Sequence, residues 1–279
     1  VWCVAVAPDG CIITGSDDST VKVWRDGTCE RTIQAHSSAL RALAVLPGGA
    51  RFVSVSEDGT AKLWTLDGIA ERTFAVVGGM VLCIAALPDG VHFVVGTRAD
   101  EVRLYQADGP LVSTFEGHTG GVRAVAVTRD GQHIISGSDD ALVKVWSVAT
   151  KSLVSTCAGH SEQVRAVAAT PDGQRILSGG GDKTVRVGRL NGTLENTFEL
   201  HSLEVRALVA LPDNQHALSA SRDRTAKLFN VNDGAVVRTF KHHARPVWTL
   251  ALLPDGLRFV SGSNDQTARI LYHGLAPAP

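Results

Sequence analysis

Apolar positions in this chain come in short bursts, and the bursts follow one another in a fixed order. An apolar run "VRAVAV" at 122–127 leads into a polar turn "RDG", a second run "HIISGS", a tight turn at "DD", a third run "LVKVW" and a fourth, "LVSTC". Runs of this length separated by Gly and Asp-Gly signals predict antiparallel β-strands joined by tight turns. The order then recurs along the whole chain. The residue that opens the first turn is Pro8, Pro47, Pro88, Arg129, Pro171, Pro212 and Pro254, at intervals of 39, 41, 41, 42, 41 and 42. A period near 40 residues marks a repeat architecture. Seven units are expected within a single domain over 1–279, at about 1–35, 36–76, 77–117, 118–159, 160–200, 201–242 and 243–279. The fourth strand is recognisable six times, as "ERTI", "ERTF", "VSTF", "VSTC", "ENTF" and "VRTF". A four-stranded sheet of this size cannot bury both of its faces alone, so radial stacking on like neighbours is the physical solution. The fold predicted is all-β: a seven-bladed β-propeller of four-stranded antiparallel sheets, with the last blade incomplete.

Charge and cysteine usage narrow the classes of function. Lys and Arg number 27 against 28 Asp and Glu, a formal net charge of -1, so no global positive field favours nucleic acid or an anionic membrane. The five cysteines (Cys3, Cys11, Cys29, Cys83, Cys157) form no CxxC pair and no zinc spacing, and their number is odd. Reduced thiols in an intracellular protein are expected, with the cytoplasm favoured over the nucleus. No apolar run approaches the roughly 18 residues of a membrane span, and the first residues do not resemble a signal peptide. The only methionine is Met80, so the chain is expected to be an excerpt of a longer protein.

Three stretches, "GSDDSTVKVW" (15–24), "VSEDGTAKLW" (55–64) and "GSDDALVKVW" (137–146), together with "GH" at 117–118 and 159–160, resemble the WD-repeat β-propeller family over essentially the whole chain. Recurrence gives the resemblance its weight. It implies a rigid frame in which function sits on the rims, and a protein or peptide as the partner, with no cofactor and no metal.

A serine, a histidine and an aspartate close in sequence raise the question of a hydrolytic triad, and periodicity answers it. Asp lies six residues before the Trp-equivalent position at Asp18, Asp58, Asp140, Asp182, Asp223 and Asp265. A hydroxyl lies ten before it at Thr14, Ser54, Ser136, Ser178, Ser219 and Ser261, and the histidines are His36, His118, His160, His201 and His243. A catalytic trio would occur once, in surroundings unlike the rest of the chain. The resemblance instead implies a hydrogen-bonded chain of Trp, Ser/Thr, His and Asp inside each blade, as in His36, Ser54, Asp58 and Trp64, and in His118, Ser136, Asp140 and Trp146. Unit three departs from the pattern, with Val77, Val95, Ala99 and Tyr105 at these places, and is expected to rely on apolar packing. Unit five keeps His160, Ser178 and Asp182 but has Gly188 in place of Trp, which predicts either a cavity or an inserted neighbour, and a gain in stability if tryptophan is restored to an unfilled site. Phe229 and Leu271 keep bulk there without the N–H.

The family resemblance places the partner surface on the top face around the central channel. The residue five after the His position gives a ring of Trp2, Arg41, Leu82, Arg123, Arg165, Arg206 and Trp248. The residue before the motif Asp gives a second ring, Asp17, Glu57, Arg98, Asp139, Gly181, Arg222 and Asn264. Glu57 and Asp139 share blades with Arg41 and Arg123 and are positioned to pair with them. Arg165, Arg206 and Arg222 meet only Glu204, and Arg98 lies beyond, so that side is expected to be net positive and to face solvent. Arginine forks suit carboxylate or phosphate, so an acidic or phosphorylated segment is one expectation and a solvated rim the other. Trp2 and Trp248 would form an apolar anchor, a shelf for a cation, or a contact buried among loops. His242 with His243, and Tyr272 with His273, lack further ligands at metal spacing and are read as structural or solvated.

The function expected is therefore a non-catalytic interaction scaffold. A ubiquitin-system adaptor or ubiquitin-binding propeller is the alternative, and a hydrolase with a pocket near blade five the remote one. Finally, "HGLAPAP" at the end is a poor fourth strand because Pro277 and Pro279 remove ladder donors. Blade seven is expected to have three strands and an open edge able to exchange a strand with another molecule.

Overall fold

The computed structural model describes residues 1–275, and every segment that regular structure could claim there is a strand. Seven antiparallel meanders follow one another, spanning 3–34, 40–75, 81–115, 122–157, 164–198, 205–240 and 247–272. The first six have four strands paired in chain order, and the seventh, among the described residues, has three. Pro277 and Pro279 lie outside the described residues. The ring closes where Val1 donates its terminal N–H to the Ser263 carbonyl at 2.9 Å and Val4 packs with Leu253 and Val260 of blade seven.

The core lies between blades rather than inside any of them. Val94, Leu104 and Phe115 of blade three share one cluster with Val122, Ile134 and Trp146 of blade four, and Leu177, Val185 and Val187 of blade five share another with Val205, Leu208 and Phe229 of blade six. Each sheet presents an apolar face to a neighbour on either side, which is why the repeat cannot fold singly. The approach is close at the second strand. A Cβ on Gly137 would sit 2.5 Å from Val164 Cγ1 of the next blade, and one on Gly179 would sit 2.6 Å from Val205 Cγ1, so only glycine fits.

Blade three lacks the polar network, as its residues predict, but apolar packing is only half of what replaces it. Phe93 stacks on Tyr105 at 5.5 Å with Phe74 against both edges. Beside them the buried Arg103 pairs with Glu101, a contact that had not been expected. Val77, at the histidine position, is 76% exposed and takes no part in the packing.

Blade five resolves the Gly188 alternatives in favour of an inserted neighbour. A Cβ on Gly117 in blade four would touch the Trp146 ring at 3.4 Å, whereas at the equivalent Gly159 it would strike the Arg186 guanidinium at 2.4 Å. Arg186 has folded into the place of the missing indole. A residual void of about 20 Å³ remains, bordered by Ser178, Arg186 and Gly188. Nor does the backbone leave room for a side chain, since a Cβ on Gly188 would lie 2.9 Å from the Thr193 carbonyl oxygen. The expectation that tryptophan would stabilise this site is therefore corrected: the site is filled and its entrance blocked. Gly188→Trp and Gly188→Ala should both lower the thermal midpoint, and Arg186→Ala should cost about 1–3 kcal/mol through lost packing. Thermal and urea denaturation of the three variants provide the check, and a raised midpoint for Gly188→Trp would contradict this account.

Candidate functional site

The buried polar chains are the most regular feature of the fold. In blade four, His118 Nδ1 lies 2.8 Å from Asp140, His118 Nε2 lies 2.8 Å from Ser136 Oγ, and the Trp146 indole donates to the same oxygen at 2.8 Å. Blade two repeats this with His36, Asp58, Ser54 and Trp64 at 2.7–2.9 Å. Blade five holds His160 to Asp182 and Ser178, blade six His201 to Asp223 and Ser219, and blade seven His243 to Asp265 and Ser261. In blade one, Trp24 donates to Thr14 Oγ1 at 2.9 Å and Asp18 holds Thr20. A consistent proton assignment runs Trp N–H to Ser oxygen, Ser O–H to His Nε2, and His Nδ1–H to carboxylate. Ser136 Oγ is buried and already accepts an indole proton, so a substrate carbonyl has no line of approach to it.

Blade seven contains one member that the sequence reading left unassigned. With Leu271 at the Trp position, Ser261 would lack its donor, and His242 Nε2 supplies it at 2.8 Å beside His243 at 2.9 Å. Burial and the neighbouring His243 push the His242 imidazole down to about 4, keeping it neutral. The leucine was the available signal, since it leaves a buried hydroxyl short of one partner.

These networks titrate in one direction. Burial lowers the pKa of His36, His118 and His160 below the ordinary 6.5 despite their carboxylate partners. Burial alone would raise the Asp58 carboxyl, but the Thr60 hydroxyl, the Ser37 N–H and His36 outweigh it and hold it at about 2. Asp140, Asp182, Asp223 and Asp265 are likewise held below the ordinary carboxylate value. The folded chain thus binds fewer protons than the unfolded one. The histidine contribution is complete above the unfolded pKa near 6.5 and fades as pH falls through the lowered folded values. The Asp58 contribution is complete above the unfolded 3.8 and is lost as pH falls towards about 2.

The second assembly is the channel mouth. In six blades, two to seven, the pairing of the first strand with the second skips one residue: Val164 pairs with Gly180 and Ala166 with Gly179, leaving Arg165 unpaired, and Val205 and Ala207 leave out Arg206 in the same way. Arg41, Leu82, Arg123 and Trp248 occupy the same bulge. A bulge re-aims its side chain. Here it turns Arg41, Leu82, Arg123, Arg165, Arg206 and Trp248 towards one cavity of about 140 Å³, which Trp2, just ahead of the first strand of blade one, also borders, so that each blade gives one residue.

The charges around this ring are unequal. Arg41 pairs with Glu57 and approaches Asp17 at 4.0 Å, and Arg123 grips Asp139 with Nε 2.8 and 2.9 Å from the two oxygens. Arg165 reaches Asp139 only at 3.7 Å. Arg206 and Arg222 share Glu204 at 2.7 and 3.0 Å, the first close enough for an ion pair but not aligned as a hydrogen bond. The expectation that Arg165, Arg206 and Arg222 all face solvent is corrected. Arg222 is 46% exposed, but the Arg165 and Arg206 side chains are only 15% and 19% exposed because the bulge draws them into the channel. Burial, then crowding by other arginines, lowers both guanidinium pKa values, that of Arg206 to about 10. Arg98 lies outside the ring, exposed, with Nη1 3.9 Å from Met80 Sδ.

Trp2 and Trp248 stack across the closure with ring centroids 4.4 Å apart. Arg41 covers Trp2 at 4.7 Å and Arg206 covers Trp248 at 4.3 Å. The shelf for an outside cation is thereby corrected: each ring has one face against the other indole and one against an arginine of the protein itself. The five cysteines are all free, and burial pushes the Cys3 and Cys83 thiols up to about 12, which makes them unreactive.

Seven blades, five of them internally fixed by His, Ser and Asp, define a β-propeller of the WD type. The family model "WD domain, G-beta repeat" matches residues 1–25, 27–65, 109–147, 151–187, 192–230 and 234–270, and the chain belongs to that WD40 family. The unmatched stretch between 65 and 109 holds most of blade three, whose network is absent but whose four strands form. Relatives include the nuclear distribution protein nudF of Aspergillus flavus, 46% identical over 54 residues, and nuclear distribution protein PAC1 of Arthroderma otae, 48% identical over 54 residues. PAC1 of Coccidioides posadasii is 43% identical over 56 residues. The alignments cover 19–20% of this chain and 12% of each relative, so the chain spans a small part of their length.

Two measurements check the network. The thermal midpoint should be level above pH 7, decline as pH falls below about 6.5, and fall faster below about 4, because the folded state must take up protons it excludes; a midpoint that holds from pH 7 to pH 4 would contradict the assignment. Asp140→Ala should cost about 1–3 kcal/mol in denaturant titration by leaving His118 without its acceptor.

Proposed function

We propose that this propeller is a non-catalytic docking platform whose top face receives a protein segment carrying carboxylate or phosphate groups. The carrying observation is that one side of the channel mouth gathers Arg123, Arg165, Arg206 and Arg222 around two carboxylates, Asp139 and Glu204. Four guanidinium groups against two carboxylates leave an excess of two positive charges on a chain whose net charge is -1. An acidic segment relieves that imbalance, and the arginine forks match its oxygens in pairs. The relatives named above support the repeat architecture, and their small overlap adds nothing about the partner.

The test is affinity capture with the intact chain and with the Arg165→Glu/Arg206→Glu pair, after confirming that both melt cooperatively. A defined set of proteins should be lost from the variant, and binding of the same proteins to the intact chain should weaken steeply with salt. An unchanged set would overturn the reading.

A second surface supports strand exchange. The third strand of blade seven (Ala268–Tyr272) has no outer partner among the described residues, and Ile270 and Tyr272 are half exposed. Beside it lies a cleft of about 300 Å³ bordered by Ile12, Trp24, Val260, Ala268 and Ile270. A strand of the outer-strand type fits this edge through ladder hydrogen bonds and apolar contacts. A synthetic peptide with the sequence of residues 236–243, "VVRTFKHH", should raise the thermal midpoint saturably by a few degrees, while a scrambled peptide should not.

A further inference from the structure

The two buried arginines of the channel mouth are charged groups without hydrogen bonds. Among the described residues, Arg165 contacts only Asp139, at 3.7 Å, and Arg206 meets Glu204 by distance alone. The Nε atoms of both are buried without a partner. The indole nitrogen of Trp248, which has no network role, is a third buried donor in the same condition. These three groups belong to neighbouring blades and border one cavity of about 140 Å³.

The lining is chemically one-sided. Its polar side chains are arginines and tryptophans, which donate hydrogen bonds and accept none, and the remainder is Leu82. Water can accept from such donors, but its own hydrogens then find no acceptor in the lining. A compact anion has acceptors on every side. The volume admits one phosphoryl group. The opposite side of the ring does not compete, because Glu57 and Asp17 hold Arg41 and Asp139 holds Arg123. Leu82 contributes no charge.

We propose that the channel mouth between blades five and seven is a binding site for a single phosphoryl group, held by the guanidinium forks of Arg165 and Arg206 and the indole N–H of Trp248. The group arrives either as a free phosphate or on a side chain of the docked segment. The site is cationic by construction: burial and then crowding by other arginines depress both guanidinium pKa values, and an entering dianion offsets the crowding. Arg206 also stacks on Trp248, so binding draws on a side chain whose plane is already set. This site rests on the top-face reading only for the source of a protein-borne phosphate; occupancy by free phosphate needs no partner.

The test titrates the chain with inorganic phosphate at constant ionic strength, followed by calorimetry and by thermal midpoint, with chloride as the control anion. Saturable binding is expected, weakened about tenfold or more by Arg206→Gln and by Arg165→Gln, and less by Trp248→Phe, which keeps the ring and removes the donor. Arg51→Gln, which removes a cation that does not border the cavity and pairs with Asp108, should bind as the parent does. A short phosphoserine peptide run in parallel identifies the source: tighter binding by the peptide assigns the group to a partner, tighter binding by phosphate to a free ligand. Equal responses to phosphate and chloride, or equal losses from Arg51→Gln and Arg206→Gln, would overturn the site. Trp248→Phe retains the stack and keeps the test decisive should an arginine variant fail to fold. Because no partner takes part, failure here is separable from failure of the docking reading, which shows only in the capture experiment.

Discussion

The hydrogen bond from imidazole Nδ1 to carboxylate, repeated at a separation of 22 residues in five blades, is the interaction on which the arrangement of this propeller depends. It ties the loop arriving from the preceding blade to the turn between the second and third strands of its own. Apolar contact between sheets supplies most of the stabilisation, but it is not directional and would tolerate sliding of one blade past another. A buried imidazole between a hydroxyl and a carboxylate is satisfied in one register only, and any slip leaves several buried polar groups unpaired. The polar chain fixes position and the apolar faces hold it.

That fixed register explains why the channel mouth is ordered. In blades two to seven the inner strand skips one residue where it meets its neighbour, so six bulges fall at equivalent positions and direct six side chains inward, with Trp2 at the head of blade one completing the ring. The ring is rigid because it belongs to strands rather than to loops. Its arginines therefore cannot retreat to solvent when they lack a partner, and Arg165 and Arg206 stay buried and unbonded. On a flexible loop the same residues would extend into water.

The period of the apolar runs made the blade count and strand order legible, because stacking like sheets leaves few arrangements for such a chain. The polar networks were legible only through the resemblance to WD repeats, with the regular spacing of His, Ser and Asp marking which blades would hold them. What the chain did not disclose were substitutions answered from elsewhere in space. Arg186 fills the place opened by Gly188, and His242 replaces the donor lost with Leu271. Each compensation lies outside the position that was vacated, so a position-by-position comparison of repeats passes over it. The ring at the channel mouth was listable by register, yet the depth of its arginines was not, since a bulge and an ordinary strand residue look alike in one sequence.

The rim and the frame are also separable in a way that bears on how such a protein acquires a partner. Whether an inward arginine has a carboxylate of its own depends largely on the residue before the motif aspartate: Glu57 and Asp139 pair with Arg41 and Arg123, while blade five has Gly181 there and blade six Arg222, which leaves Arg165 at the edge of Asp139 and Arg206 sharing Glu204 with Arg222. That position lies in the turn between the second and third strands, exposed at Asp17, Arg98, Arg222 and Asn264, part-buried at Glu57 and Asp139, and buried at Gly181. Where it is exposed, the charge of the mouth can change in one blade with little effect on stability. Blades five and six have also lost the tryptophan of the network, to Gly188 and Phe229, without losing its histidine, serine or aspartate. The part of the network that is kept is the part that sets register, and register is what holds in place two arginines that share their carboxylates with other arginines.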